Sequence, residues 1–173
     1  MLTIKKILCP TDFSEPSYEG LKYAIELARC FESELSLLHV VPVVPATPST
    51  PNFRLDALEY ERALHLAAGE KLNELIKQQV PKEVNARALL GQGDLGDESG
   101  QIAVDGGADR LERLARRETA SEIVRIAEDD GTDLIVIATH GLTGWRHLVF
   151  GSVAEKVVRL AACPVLTIRM PRE

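Results

Sequence analysis

Leu134-Ile135-Val136-Ile137-Ala138 is apolar at every position. A strand with one wet face alternates apolar and polar residues, so an unbroken run belongs to a strand covered on both faces. Ile4–Cys9 and Leu35–Val41 are two further apolar runs of strand length, Val84–Leu90 alternates like a strand, and Pro164–Ile168 reads as a last one. Between them the period changes to that of helices. Leu21, Ala24, Ile25 and Ala28 share a face, with Ser14 before Glu15-Pro16 as the helix start. Phe53–Gln79, Ser121–Asp130 and Ser152–Leu160 are the other helical stretches. The order β-α-β-α-β-α-β-α-β predicts a doubly wound, five-stranded parallel sheet of Rossmann-like type, with helices on both faces.

A chain of 173 residues is long enough for one domain, here residues 1–173, with a full core and no need of metal or disulfide staples. Twenty basic against 26 acidic residues leave a net charge of −6, which argues against a broad electrostatic grip on nucleic acid. Any bound phosphate must therefore be held by local backbone and dipoles. Cys9, Cys30 and Cys163 form no close-spaced pair and read as thiols in a reducing compartment. No apolar stretch suits a signal peptide and no run approaches a membrane span, so the expectation is a soluble cytoplasmic protein.

Two stretches break the rhythm. Pro42, Pro45, Pro48 and Pro51 exclude regular structure between the second strand and the helix after it. Between Leu90 and Ser121 the chain is far longer than an ordinary connection, and residues 95–118 read as an atypical insertion. Residues 102–109 share five of eight positions with residues 126–133, through partial duplication or chance. Arg110–Arg117 reads as helix, either extending the Ser121 helix backward or standing alone.

In an open parallel sheet, ligands bind beyond the carboxyl ends of the strands where the strand order reverses. Pro10-Thr11-Asp12, His39-Val40-Val41 and the run from Ala138 through Thr139, His140, Gly141 and Gly144 arrive there. Gly141 and Gly144 let backbone N–H groups approach an anion. Gly151-Ser152 opens a helix whose dipole favours phosphate; the alternative is a plain turn with Ser152 as N-cap. Gly91-Gln92-Gly93-Asp94-Leu95-Gly96 is a literal GxGxxG, but acidic residues and another glycine follow where a helix must open, so it reads as a turn. There is no P-loop, no nucleophile elbow and no zinc spacing between the histidines and cysteines. His39 reads as a packed histidine, whereas His140 would orient a phosphate loop or touch phosphate.

Pro10-Thr11-Asp12-Phe13-Ser14, Leu38-His39-Val40, Asp133-Leu134-Ile135-Val136, Thr139-His140-Gly141, Phe150-Gly151-Ser152-Val153-Ala154-Glu155-Lys156-Val157 and Cys163-Pro164-Val165-Leu166 together resemble the universal stress protein family. The resemblance runs from Ile4 to Arg169 apart from the stretch near 95–118. It implies a sheet in the order 3-2-1-4-5 and homodimers paired through the last strand. In the ATP-binding branch it implies a nucleotide held by Gly-x2-Gly-x9-Gly-Ser/Thr. Gly141, nine residues and Gly151-Ser152 meet that pattern, but Ala138 stands at the first glycine. Carried over, Asp12 would face the nucleoside end and the Val40 backbone the adenine. Gly141, Gly151, Ser152 and Val153 would take the phosphates, with Mg²⁺ shared among phosphate oxygens.

The reading is thus an ATP-binding, homodimeric stress-response module whose chemistry is at most slow hydrolysis, because no general base is evident. A dimerisation module that has lost nucleotide binding, and a nucleotide-processing enzyme using Asp12 and His140, are the alternatives.

Overall fold

In the computed structural model, residues 3–41, 53–92, 108–139 and 151–169 are described, with the side chains of 53–58 and 108–118 excepted. The elements follow in the order β1 (Lys6–Pro10), α1 (Glu15–Phe31), β2 (Glu34–Val41), α2 (Phe53–Gln79), β3 (Ala86–Gln92), α3 (Ala108–Asp130), β4 (Leu134–Ala138), α4 (Ser152–Leu160) and β5 (Val165–Ile168). The five strands form one sheet ordered β3-β2-β1-β4-β5, and all pairings are parallel. Both the class and the strand order are those expected.

The alternation of side chains along each strand explains the layers. Ile7, Cys9, Leu35, Leu37, Leu134 and Val136 point to one face, where Leu21, Ala24, Ile25 and Ala28 of α1 and Leu72 and Leu75 of α2 cover them. Leu8, Leu38, Val40, Ile135 and Ile137 point to the other, under Ala120, Ile123 and Ala127 of α3 and Ala154 and Val157 of α4. The apolar run of β4 is therefore consumed by two separate cores. Leu8, Leu35, Leu37, Leu38, Ile135 and Val136 are all fully buried.

Helix ends follow from local chemistry. Ser14 caps α1, accepting the Ser17 N–H, and the chain leaves α1 through Glu32 in the left-handed region (φ 54°). Gly131 (φ 64°) ends α3, where a residue without Cβ meets no penalty. Asp133 then accepts the N–H groups of Lys5 (2.7 Å) and Lys6 (3.0 Å), clipping the start of β1 beside the start of β4.

The structure moves one boundary of the sequence reading and decides another. β3 begins at Ala86 and runs to Gln92, because Val84 is held in a preceding turn by its N–H to Pro81 O (3.0 Å). Gly91, the first glycine of the GxGxxG run, is thus strand rather than turn. A Cβ there would lie 2.9 Å from Glu122 Cγ and 2.9 Å from Ile126 Cδ1, so this glycine admits α3 against the sheet. At the second boundary the structure decides between the two alternatives: α3 is one helix from Ala108 to Asp130, so residues 108–118 extend the Ser121 helix backward.

Candidate functional site

The strand order reverses between β1 and β4, since the chain builds β2 and β3 on one side and β4 and β5 on the other. Pro10 stops the β1–β4 ladder at this point, where an open parallel sheet leaves a crevice. Successive strand residues aim their N–H groups to alternate sides, and the Thr11 N–H goes to Leu38 O on β2 (2.8 Å). Residue 10 therefore faces β4, and proline has no N–H to offer it. β1 pairs with β2 over five residues but with β4 only at Ile7↔Leu134 and Leu8↔Ile135. Carried forward three residues, that register sets Thr11 level with Ala138.

The β1–α1 turn on one side of the crevice is tightly bonded. Asp12 Oδ1 accepts the Ser14 N–H (3.0 Å) and the Ser14 hydroxyl. The Phe13 N–H donates to Thr11 Oγ1 (3.0 Å), and the Ser17 hydroxyl donates to Ser14 O (2.8 Å). With the one Ser17 proton so used, the 2.9 Å contact between Thr11 Oγ1 and Ser17 Oγ has Thr11 as donor. These bonds hold Phe13 at φ 62°, a conformation costly for a bulky residue.

On the other side, β4 leads into Thr139, which is buried and donates its N–H to Ile168 O (2.8 Å). The Thr139 carbonyl accepts the Gly151 N–H at 2.5 Å. This bond seats the start of α4 at the carboxyl end of β4. Gly151 is the N-cap (φ −71°, ψ 150°) and, having no side chain, makes no capping bond of its own to the first N–H groups of α4. Ser152 is exposed and Val153 half-buried, while Ala154 and Val157 anchor α4 to the core.

Ala138 fits without backbone strain. Positive φ at non-glycine residues, among the described residues, is confined to Phe13 and Glu32. Its methyl lies against α1, where residue 20 is glycine; a Cβ on Gly20 would stand 3.4 Å from Ala138 N and 3.8 Å from Ala138 Cβ. A glycine inside a helical pattern was the available signal for this contact, and the sequence reading passed over it.

The structure therefore gathers Pro10, Thr11 and Asp12 after β1, Ala138 at the end of β4, and Gly151, Ser152 and Val153 at the start of α4. Val40 lies one strand further out in β2, buried and level with Gly91 of β3. His140, Gly141 and Gly144 lie outside the described residues. The reading also missed a column on the α1/α2 face. His39 Nδ1 is 2.8 Å from Thr11 O, its ring centroid is 4.5 Å from that of Phe13, and Lys71 Nζ sits 4.3 Å from the Phe13 centroid. Burial lowers the His39 pKa, as does the Lys71 charge, while the bond to Thr11 and the Asp12 charge oppose them. Among the described residues, no cluster of His, Cys, Asp or Glu could hold a metal ion, and no helix is long and apolar enough to cross a membrane.

Comparison with known proteins agrees with this architecture. The profile of the universal stress protein family matches residues 3–169. Universal stress protein MJ0531 of Methanocaldococcus jannaschii is 32% identical over 172 residues, covering 98% of this chain and 84% of that protein. MJ0577 of the same organism is 30% identical over 166 residues, covering 95% and 94%. The solved structure of MJ0577 superposes with a TM-score of 0.71 at 25% identity, covering 99% of this chain and all of the other. A family member from Arabidopsis thaliana, solved with AMP bound, shares the fold at a TM-score of 0.55 and 19% identity, over 96% and 92% of the two chains. The sequence motifs, the strand order and these matches agree: the chain belongs to the universal stress protein family.

Proposed function

We propose that the chain binds ATP with Mg²⁺ in the crevice between β1 and β4 and works as a homodimeric stress-response module in the cytoplasm. The observation that carries the reading is the start of α4. Its N-cap is a glycine, which brings no side chain of its own to the first N–H groups, and the Gly151 N–H to Thr139 O fastens this helix start to the carboxyl end of β4. With a chain charge of −6, this local arrangement is the kind of phosphate site available. The triphosphate would lie against Gly151, Ser152 and Val153, with Gly141 completing the cradle. Asp12 would face the nucleoside, and the Val40 backbone the base. Mg²⁺ would sit among phosphate oxygens rather than in a protein cage. That a family member from Arabidopsis thaliana was solved with AMP bound supports the reading.

Dimerisation would run through β5, which pairs only with β4 in the described sheet. Leu166 on β5, and Val158 and Leu160 on α4, are exposed apolar side chains. Light scattering should give the mass of two chains; a concentration-independent monomer mass removes the dimer.

The deciding experiment is calorimetric titration of nucleotide-free protein with ATP–Mg²⁺, with mass spectrometry of ligand released from fresh protein. Micromolar binding, about −8 kcal/mol, is expected, and Ser152→Phe should abolish it while leaving the thermal midpoint in place. No heat at several temperatures together with no co-purified nucleotide overturns the reading in favour of a dimerisation module. Turnover that survives purification and is lost in Asp12→Asn would instead mark an enzyme.

A further inference from the structure

Thr11 is gripped by β2 through both of its main-chain polar groups. Its N–H donates to Leu38 O at 2.8 Å, and its carbonyl is 2.8 Å from His39 Nδ1. A carbonyl only accepts, so Nδ1 carries the proton and donates. Because the peptide unit is planar, fixing the Thr11 carbonyl also fixes the plane that leads into Asp12. The same imidazole backs the Phe13 ring at 4.5 Å with a 35° tilt, and Lys71 Nζ lies 4.3 Å from the centroid of that ring. Phe13 is held at φ 62°, a backbone state that persists only when its surroundings over-determine it. The hydrogen bond from His39 and the ring contact join the Asp12–Ser14, Thr11–Ser17 and Phe13–Thr11 bonds as those surroundings.

We propose that His39 is a positioning residue for nucleotide binding: its Nδ1–H to the Thr11 carbonyl, with its ring against Phe13, sets the turn that presents Asp12 to the β1–β4 crevice. The proposal rests on the nucleotide reading above. His39 itself lies on the α1/α2 face, as do Leu35 and Leu37, and acts through Thr11 and Phe13. An aliphatic residue of similar size would fill the space but leave the buried end of the Thr11 peptide without its donor. Relaxation of Phe13 out of the left-handed region would then carry Asp12 with it.

The test compares three variants of the whole chain. The Asn side-chain amide places its nitrogen near the Nδ1 position, the Gln amide reaches the Nε2 position, and Leu offers no donor. ATP–Mg²⁺ affinity by calorimetry and amide hydrogen exchange at Phe13 and Ser14 in ligand-free protein are the readouts. His39→Leu and His39→Gln should lose at least about tenfold in affinity and exchange faster at both amides. His39→Asn should stay within about threefold of the parent and keep its protection. If His39→Leu unfolds, the Asn and Gln pair decides, since both are polar and uncharged. Equal affinity in Asn and Gln, or parental affinity in Leu, overturns the proposal while leaving nucleotide binding intact. A parent chain that takes up no nucleotide defeats the nucleotide reading and this role with it; the exchange data then report on the turn alone.

Discussion

Gly91 shows what one missing Cβ does in this molecule. It sits in β3 with Glu122 Cγ and Ile126 Cδ1 each 2.9 Å from where a methyl would be, closer than Cβ contacts occur. Gly91→Ala should therefore force the Glu122 and Ile126 side chains aside and lower stability by about 1–3 kcal/mol, read as a shift of the urea midpoint without a change of slope. The thiols separate by burial in the same way. Cys9 is enclosed in the core and its pKa is pushed up to about 12; burial also raises that of the half-buried Cys163, and Cys30 is exposed. Since the thiolate is the nucleophile, a thiol reagent at pH 8 should modify Cys30 quickly and Cys9 only after denaturation. At this scale the sequence marked Ala138 as a departure from the nucleotide motif. The apolar run placed residue 138 at the end of the strand, as found, but could not show that its methyl has Gly20 opposite it. That contact depends on where α1 lies against β4.

The elements themselves were largely legible, because each is written in a local pattern. Ser14, Glu15 and Pro16 announce the start of α1, and the apolar runs of β1, β2 and β4 give their own lengths. Ends were legible only where a residue with a fixed preference stands. Gly131 closes α3 as expected of a glycine, whereas Glu32 closes α1 in the same left-handed region at φ 54° and ψ 41° with no residue-type signal. Glu32→Gly should relieve that conformation, adding about 1 kcal/mol and about 2–4 °C to the thermal midpoint. The start of β3 was displaced by two residues because an alternating pattern continues through Val84, which the Pro81 turn takes out of the sheet. The Arg110–Arg117 stretch could be read as helix but not assigned to its neighbour, since nothing in its composition says whether the backbone is continuous with α3.

For the whole molecule, the amino ends of the strands are tied by charges that are remote in sequence. Arg87 on β3 bonds to Glu34 (2.6 Å), to Ser36 Oγ (3.0 Å) and to Asp130 Oδ1, and Lys6 Nζ reaches the Asp130 carbonyl at 2.6 Å. Burial raises the Asp130 pKa, but hydrogen bonds and charge from Arg87 and Lys6 outweigh it and bring the group below its ordinary value. A carboxylate lowered on folding stabilises fully above its unfolded pKa, about 4, and that contribution disappears as pH falls through the folded value. Asp130→Asn should cost about 1–2 kcal/mol at pH 7. The gap between parent and variant should close as pH is taken from 5 towards 2, measured by urea unfolding at each pH. A gap that is constant with pH would assign the network no electrostatic role.

What the sequence by itself determined is everything carried by short-range pattern: the alternation of strands and helices, the two-sided burial of β4, the absence of a P-loop, and the glycine-serine start of α4. Those signals survive without a structure because periodicity and capping act within a few residues. The tertiary structure decided what depends on contacts between distant segments. Pro10 stops the β1–β4 ladder because its imide faces β4, and the Thr139 carbonyl seats Gly151 at the carboxyl end of β4. His39, which reads as an ordinary packed histidine, becomes the support of the β1–α1 turn because parallel pairing brings β2 beside Thr11, twenty-eight residues away in the chain.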